Sequence, residues 1–205
     1  MRVIALDRDD PEVWLIGPAV DAIRKGELIV FPTDSVYAIG CDPFDRKAVD
    51  KLYTAKQMTD NHRCSVICGD LKQVATVARA VSDPAFHFMR KHFPGAYTVL
   101  LKASRDLPKV ATGKRQQIGV RMPNHPTALA LVEDLGRPLL VTSVPGWIAG
   151  EEIDPVACAE AMRVRPSIVL DQGPATANPS TVVDFSVDPP ELVRLGAGPV
   201  DWDDE

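Results

Sequence analysis

The chain is punctuated by short apolar runs that stop at a proline or at hydroxyl residues, and most of these runs are separated by stretches of helical spacing. That alternation decides the fold class. Leu28–Phe31 stops at Pro32, Gln117–Met122 stops at Pro123, and Pro138–Ser143 ends in Thr142–Ser143. Ser65–Cys68 and Tyr97–Lys102 are also read as strands, from short apolar runs rich in β-forming residues. Between them, Glu12–Lys25 carries apolar residues at Ile16, Val20 and Ile23, on one helix face, with Pro18 expected to mark a kink or the true start. Arg46–Lys56 reads as a helix with Ala48, Val49, Leu52 and Tyr53 inward. Further helices are expected from Asp70 through Arg79, from Ser82 to about His92, over Pro126–Asp134 and over Asp154–Met162. Ser167–Leu170, Ser180–Phe185 and Glu191–Leu195 then follow as three strands in succession. Strand–helix alternation that ends in consecutive strands predicts an α/β fold with a mixed sheet. Leu107–Gln116 and Gly173–Pro179 read as loops. One domain is expected, with its core over about residues 12–198 and an acidic, frayed tail at 199–205.

Composition narrows the setting. The 205 residues are 45% hydrophobic, enough for one sizeable core. No apolar run approaches the roughly 20 residues a membrane helix needs, and MRVIALDRDD has no signal-type apolar segment, so no membrane association and a cytoplasmic location are expected. The net charge of -5 argues against a generic basic nucleic-acid binder. Cys41, Cys64, Cys68 and Cys158 are too few for a disulfide scaffold and read as thiols; no metal site is expected from them.

The chemistry concentrates at strand tips. In GELIVFPTDSVYAIGC, a strand ends at Pro32 and offers Thr33, Asp34 and Ser35, either as a side-chain-closed turn or as a ligand site. Arg121 ends a strand between apolar Val120 and Met122. If it points inward it needs an anion. Lys51 and Lys56 lie on one helix, with Arg63 in the loop beyond and Lys114–Arg115 in a later one; these cations suit either a solvated face or phosphates. Neither a P-loop nor a G-x-G-x-x-G turn is present, so a nucleotide would have to be held by side-chain cations and scattered amides.

These segments also resemble a known family. PTDSVYAIG at 32–40, the helix ending at Lys56, PGAYTVLLK at 94–102, IGVRMPNHP at 118–126, LVTS at 140–143 and STVVDF with VRLGAG over 180–198 fall in the order of the YrdC-like family, the threonylcarbamoyl-adenylate synthases, and most of all its YciO-like branch. The resemblance implies a twisted open sheet with helices packed on it and a concave central pocket. It implies formation of threonylcarbamoyl-AMP from threonine, bicarbonate and ATP, with Mg²⁺ accompanying ATP, for modification of tRNA adenosine 37. Residue by residue, Thr33, Tyr37 and Arg121 match threonine-side positions, and Lys56, Thr112, Ser143 and Arg194 match nucleotide-side positions. No nucleophile or general base is implied. Two family motifs are incomplete: K-x-R reads Lys56–Gln57–Met58, and S-x-N reads Ser143–Val144–Pro145. Those losses leave open a weak synthase, a relative that adenylates another small acid, or a module binding double-stranded RNA or tRNA without synthase activity.

Overall fold

The computed structural model describes residues 1–57, 64–112 and 116–200. Among the described residues, ten strands form one mixed sheet. In chain order they are β1 (Arg2–Ala5), β2 (Ile29–Phe31), β3 (Ala38–Cys41), β4 (Ser65–Ile67), β5 (Tyr97–Lys102), β6 (Gln117–Arg121), β7 (Leu139–Ser143), β9 (Ile168–Asp171), β11 (Thr181–Asp184) and β12 (Glu191–Arg194). Their spatial order is β1-β9-β2-β3-β7-β4-β6-β5-β11-β12. Two short strands, β8 (Glu152–Ile153) and β10 (Ala175–Thr176), pair in a separate ribbon. The helices are α1 (Gly17–Arg24), α2 (Arg46–Lys56), α3 (Leu71–Val77), α4 (Asp83–His92), α5 (Lys109–Thr112), α6 (Pro126–Leu135) and α7 (Pro155–Glu160).

Local chemistry sets most boundaries. Pro18 sits in the first turn of α1, where its missing N–H costs nothing, and a 3₁₀ turn over Val13–Ile16 leads into it. The Asp45 carboxylate accepts from the Lys47 and Ala48 amides and starts α2. Asp70 caps α3 through the Gln73 amide at 2.7 Å, and Gly136 at φ +72° ends α6. Several elements depart from expectation. The helix expected through Arg79 stops at Val77, because Ala78 turns extended and bridges Ala103. The one expected over Asp154–Met162 is shorter, at Pro155–Glu160. The expected loop at Leu107–Gln116 contains α5, and the one at Gly173–Pro179 contains β10. β1, ahead of the expected core, runs parallel to β9 at the sheet edge. The last strands in sequence also do not all lie together: β9 sits between β1 and β2, far from β11 and β12.

The period-two alternation of strands sorts side chains onto two faces. One face carries Ile39, Cys41, Val66, Val99, Leu101, Ile118, Val120 and Leu140, which cluster with buried residues of α2, α3, α4 and α7. The opposite face carries Ile29, Phe31, Ala38, Ile67, Leu139 and Val141 beneath α1 and α6, through Ala19, Val20, Ile23, Leu131 and Val132. Helices α1 and α6 cover only part of that second face. From their edge outward the register places Ser143 opposite Ala38, Ser65 opposite both Val141 and Gly119, Leu100 opposite Gly119, and Val182 opposite both Thr98 and Arg194. These are mostly small or hydroxyl side chains. Where they replace Leu and Ile the sheet face is hollow instead of packed.

Candidate functional site

A cavity of about 720 Å³ occupies this hollow, within the roughly 300–1,000 Å³ typical of small-molecule sites. Its floor is the sheet face: Ala38, Ser65, Thr98, Leu100, Arg121, Val141 and Ser143 all line it. A Cβ on Gly119 would stand 2.5 Å from Ser65 Oγ and 2.9 Å from Thr98 Cγ2, so a side chain there would push into the two hydroxyl residues of the floor.

Four of the residues implied by sequence meet at this cavity: Lys56, Arg121, Ser143 and Arg194. Lys56, in the last turn of α2, directs its ammonium at the tip of β7. Nζ donates to Thr142 Oγ1 at 3.1 Å, to Ser143 Oγ at 2.8 Å and to the Ser143 carbonyl. Burial brings its pKa down to about 8. On the opposite side Arg194 donates from Nε and Nη2 to the Ser180 carbonyl, at 3.1 and 2.8 Å, and burial lowers its pKa too. Among the described residues, neither Lys56 nor Arg194 has a carboxylate within ion-pair distance.

Arg121 is different. It is 7% exposed, and its Nη2 donates to Asp34 Oδ1 at 2.7 Å and to Ser35 Oγ at 2.8 Å. The anion an inward arginine requires is therefore supplied first by the chain itself. The other oxygen of Asp34 accepts from the Asn124 amide at 2.8 Å, which ties the tip after β2 to the turn after β6. Arg121 Nε stays buried without a partner among the described residues. Burial lowers the Arg121 pKa and Asp34 opposes that shift.

Thr33, Tyr37 and Thr112 do not line the cavity. Thr33 Oγ1 donates to the Val36 carbonyl at 2.7 Å and accepts from the Ser35 amide, which closes the turn that presents Asp34 and Ser35. Tyr37 is 2% exposed. Its hydroxyl accepts from the Gln172 amide and donates to the Gly173 carbonyl, both at 2.9 Å, and burial raises its pKa to about 12. Thr112 ends α5, where its hydroxyl donates to the Lys109 carbonyl at 3.3 Å. Met58, Arg63, Lys114 and Arg115 lie outside the described residues. Lys51, another cation on α2, is held by Glu27 at 3.0 Å and by the Gly26 carbonyl.

Sequence reasoning overlooked two partners. The reading of the Thr33–Ser35 tip as a turn or a ligand site does not make Asp34 the partner of Arg121, although an acid beside a strand tip facing an inward arginine is a recognisable signal. Trp147 carries no sequence signal that marks it as a site residue. Pro145 and Gly146, the latter at φ +80°, have the pattern of a type II turn. The chain after β7 brings the Trp147 indole to the cavity, where Nε1 donates to Ser143 Oγ at 2.6 Å. The cysteines are free thiols, with Cys41, Cys64 and Cys68 buried. No helix of the described residues is long and apolar enough to cross a membrane.

Comparison with known proteins agrees with this architecture. The chain is 37% identical over 196 residues to the Escherichia coli protein YciO, covering 94% of both, and the crystal structure of that protein superposes with a TM-score of 0.85. It is 31% identical to the threonylcarbamoyl-AMP synthase of Pyrococcus abyssi, spanning 98% of this chain and 59% of that one. The structure of P. abyssi Sua5 complexed with L-threonine also gives a TM-score of 0.85, at 30% identity, over 96% of this chain and 58% of that one. Both are built on a large twisted mixed sheet with helices, as here. Residues 21–196 match the Sua5/YciO/YrdC family model, described as telomere recombination, and the chain belongs to that family.

Proposed function

We propose that the protein is a threonylcarbamoyl-AMP synthase-type enzyme, joining threonine, bicarbonate and ATP with release of pyrophosphate. The observation that carries this reading is charge. Lys56 and Arg194 face one hydroxyl-rich cavity, and among the described residues neither has a carboxylate within ion-pair distance; such a site favours a polyanion. Relatives at about 30% identity carry that enzyme name, and one is described as complexed with L-threonine.

On this reading Lys56, Ser143 and Arg194 serve the phosphates, and Arg121 serves the amino-acid carboxylate through the edge that Asp34 leaves free. Thr33 and Tyr37 act indirectly, by fixing the Asp34–Ser35 tip and the strand behind it. Mg²⁺ accompanying ATP would supply further positive charge against the phosphates, beside Lys56 and Arg194. Catalysis would rest on positioning and on stabilising the charge that develops as pyrophosphate departs. The product would serve tRNA adenosine modification. Lys56 is turned into the cavity and Lys51 is held by Glu27, so these two cations do not combine into an outward basic surface for RNA, while Arg63, Lys114 and Arg115 lie outside the described residues.

The test is pyrophosphate release from ATP with threonine and bicarbonate. Release should depend on threonine and fall at least 100-fold in Lys56→Met, about the loss of one charge-assisted contact made in the transition state. Absence of threonine-dependent release at high enzyme concentration would refute the proposal.

A further inference from the structure

Ser143 Oγ accepts from Lys56 Nζ at 2.8 Å and from Trp147 Nε1 at 2.6 Å. An ammonium and an indole N–H are donors only, and a hydroxyl has two acceptor lone pairs and one proton. Both lone pairs of Ser143 are therefore filled, and its proton has to be given away. No acceptor for it exists among the described residues. Ser143 lines the cavity, so the acceptor it suits is a ligand oxygen, and the adjacent ammonium makes that oxygen an anionic one.

We propose that Trp147 is a positioning residue: its indole N–H locks the Ser143 hydroxyl as a donor toward a phosphate oxygen of the bound ligand. This rests on the nucleotide reading of the cavity. Pro145 has neither a side-chain amide nor a backbone N–H to offer there. The turn at Pro145–Gly146 brings Trp147 back to supply the missing donor from two residues further along the chain. Without the indole N–H, one lone pair of Ser143 is open, the hydroxyl can accept as readily as donate, and the anion meets an unoriented dipole.

The test is calorimetric titration of the full-length protein with inorganic pyrophosphate. Trp147→Phe keeps the ring and removes the N–H, and its affinity should fall about 5- to 10-fold, the worth of one oriented hydrogen bond. Ser143→Ala should fall at least as far. The double variant should bind no more weakly than Ser143→Ala, because Trp147 acts through Ser143. A wild-type affinity in Trp147→Phe, or losses that multiply in full, would overturn the proposal while pyrophosphate binding by the wild type leaves the enzyme reading standing. If the wild type binds neither pyrophosphate nor ATP, both fall together. A measurement on the native side chain covers a Trp147→Phe variant that fails to fold. With ¹⁵N-labelled tryptophan, and with Trp14→Phe and Trp202→Phe identifying the other two signals, pyrophosphate should move the Trp147 indole resonance. An unmoved resonance would overturn the proposal.

Discussion

Asp34→Ala tests the core of the site most directly. Arg121 and Asp34 have side chains only 8% and 11% exposed, and they meet at 2.7 Å. Removing the carboxylate leaves a buried guanidinium with Ser35 Oγ as its remaining side-chain partner. Breaking a buried pair from one side costs about 3–5 kcal/mol, because the surviving charge is uncompensated. The Asn124 amide also loses its acceptor, but Asn124 is exposed and water can replace it. The expected loss is therefore about 4 kcal/mol, or roughly 8–16 °C in Tm for a chain of this size. Urea denaturation with linear extrapolation measures it. Asp34→Leu combined with Arg121→Met removes both charges and should recover most of the stability, since an apolar replacement carries no desolvation penalty. High salt should leave the difference nearly unchanged, because a buried pair is little screened. A loss below about 1 kcal/mol in Asp34→Ala, or a double variant as unstable as the two singles combined, would refute the argument that Asp34 is the anion Arg121 requires.

Two further outcomes follow from the cavity. Lys56 is held near pKa 8 by burial, so pyrophosphate affinity should drop as pH rises through about 8, and the drop should be absent in Lys56→Met; calorimetry across pH 6.5–9.5 checks it. The sign for stability is opposite: a lysine pKa lowered by folding favours the folded state in full only above its ordinary value of 10.5, and that contribution is lost as pH falls through about 8. Gly119→Ala places a methyl 2.5 Å from Ser65 Oγ, and should cost about 1–3 kcal/mol as well as weakening pyrophosphate binding, checked by thermal melting and titration.

Much of the fold was legible. Alternation in Gln117–Arg121 already separates Ile118 and Val120 from Gly119 and Arg121, the packed face from the hollow one. Arg46–Lys56 has the observed bounds of α2, because Asp45 caps it and a basic residue closes it. Other features depend on partners distant in sequence. Arg2–Ala5 is a strand only because β9 lies alongside, and a four-residue run with mixed exposure carries no period of its own. The two-residue strands β8 and β10 define each other in the same way. For the site, residue type and place by themselves raise Lys56 and Arg121, and the family resemblance is what adds Ser143 and Arg194. Sequence could not show that Tyr37 turns away to hold Gln172 and Gly173, because both faces of that segment are buried.

The partial cover that α1 and α6 give the second face has a thermodynamic consequence. Where they stop, the protein is a three-layer structure with a piece of its third layer missing, and that gap is a cavity of about 720 Å³ lined by polar and apolar side chains. Whatever fills it completes the layer. Occupancy and folding are then linked, and a ligand at 100 times its Kd adds about 2.7 kcal/mol to the folded state. The sheet thus reports on its own cargo: the temperature at which it melts is a readout of what it holds.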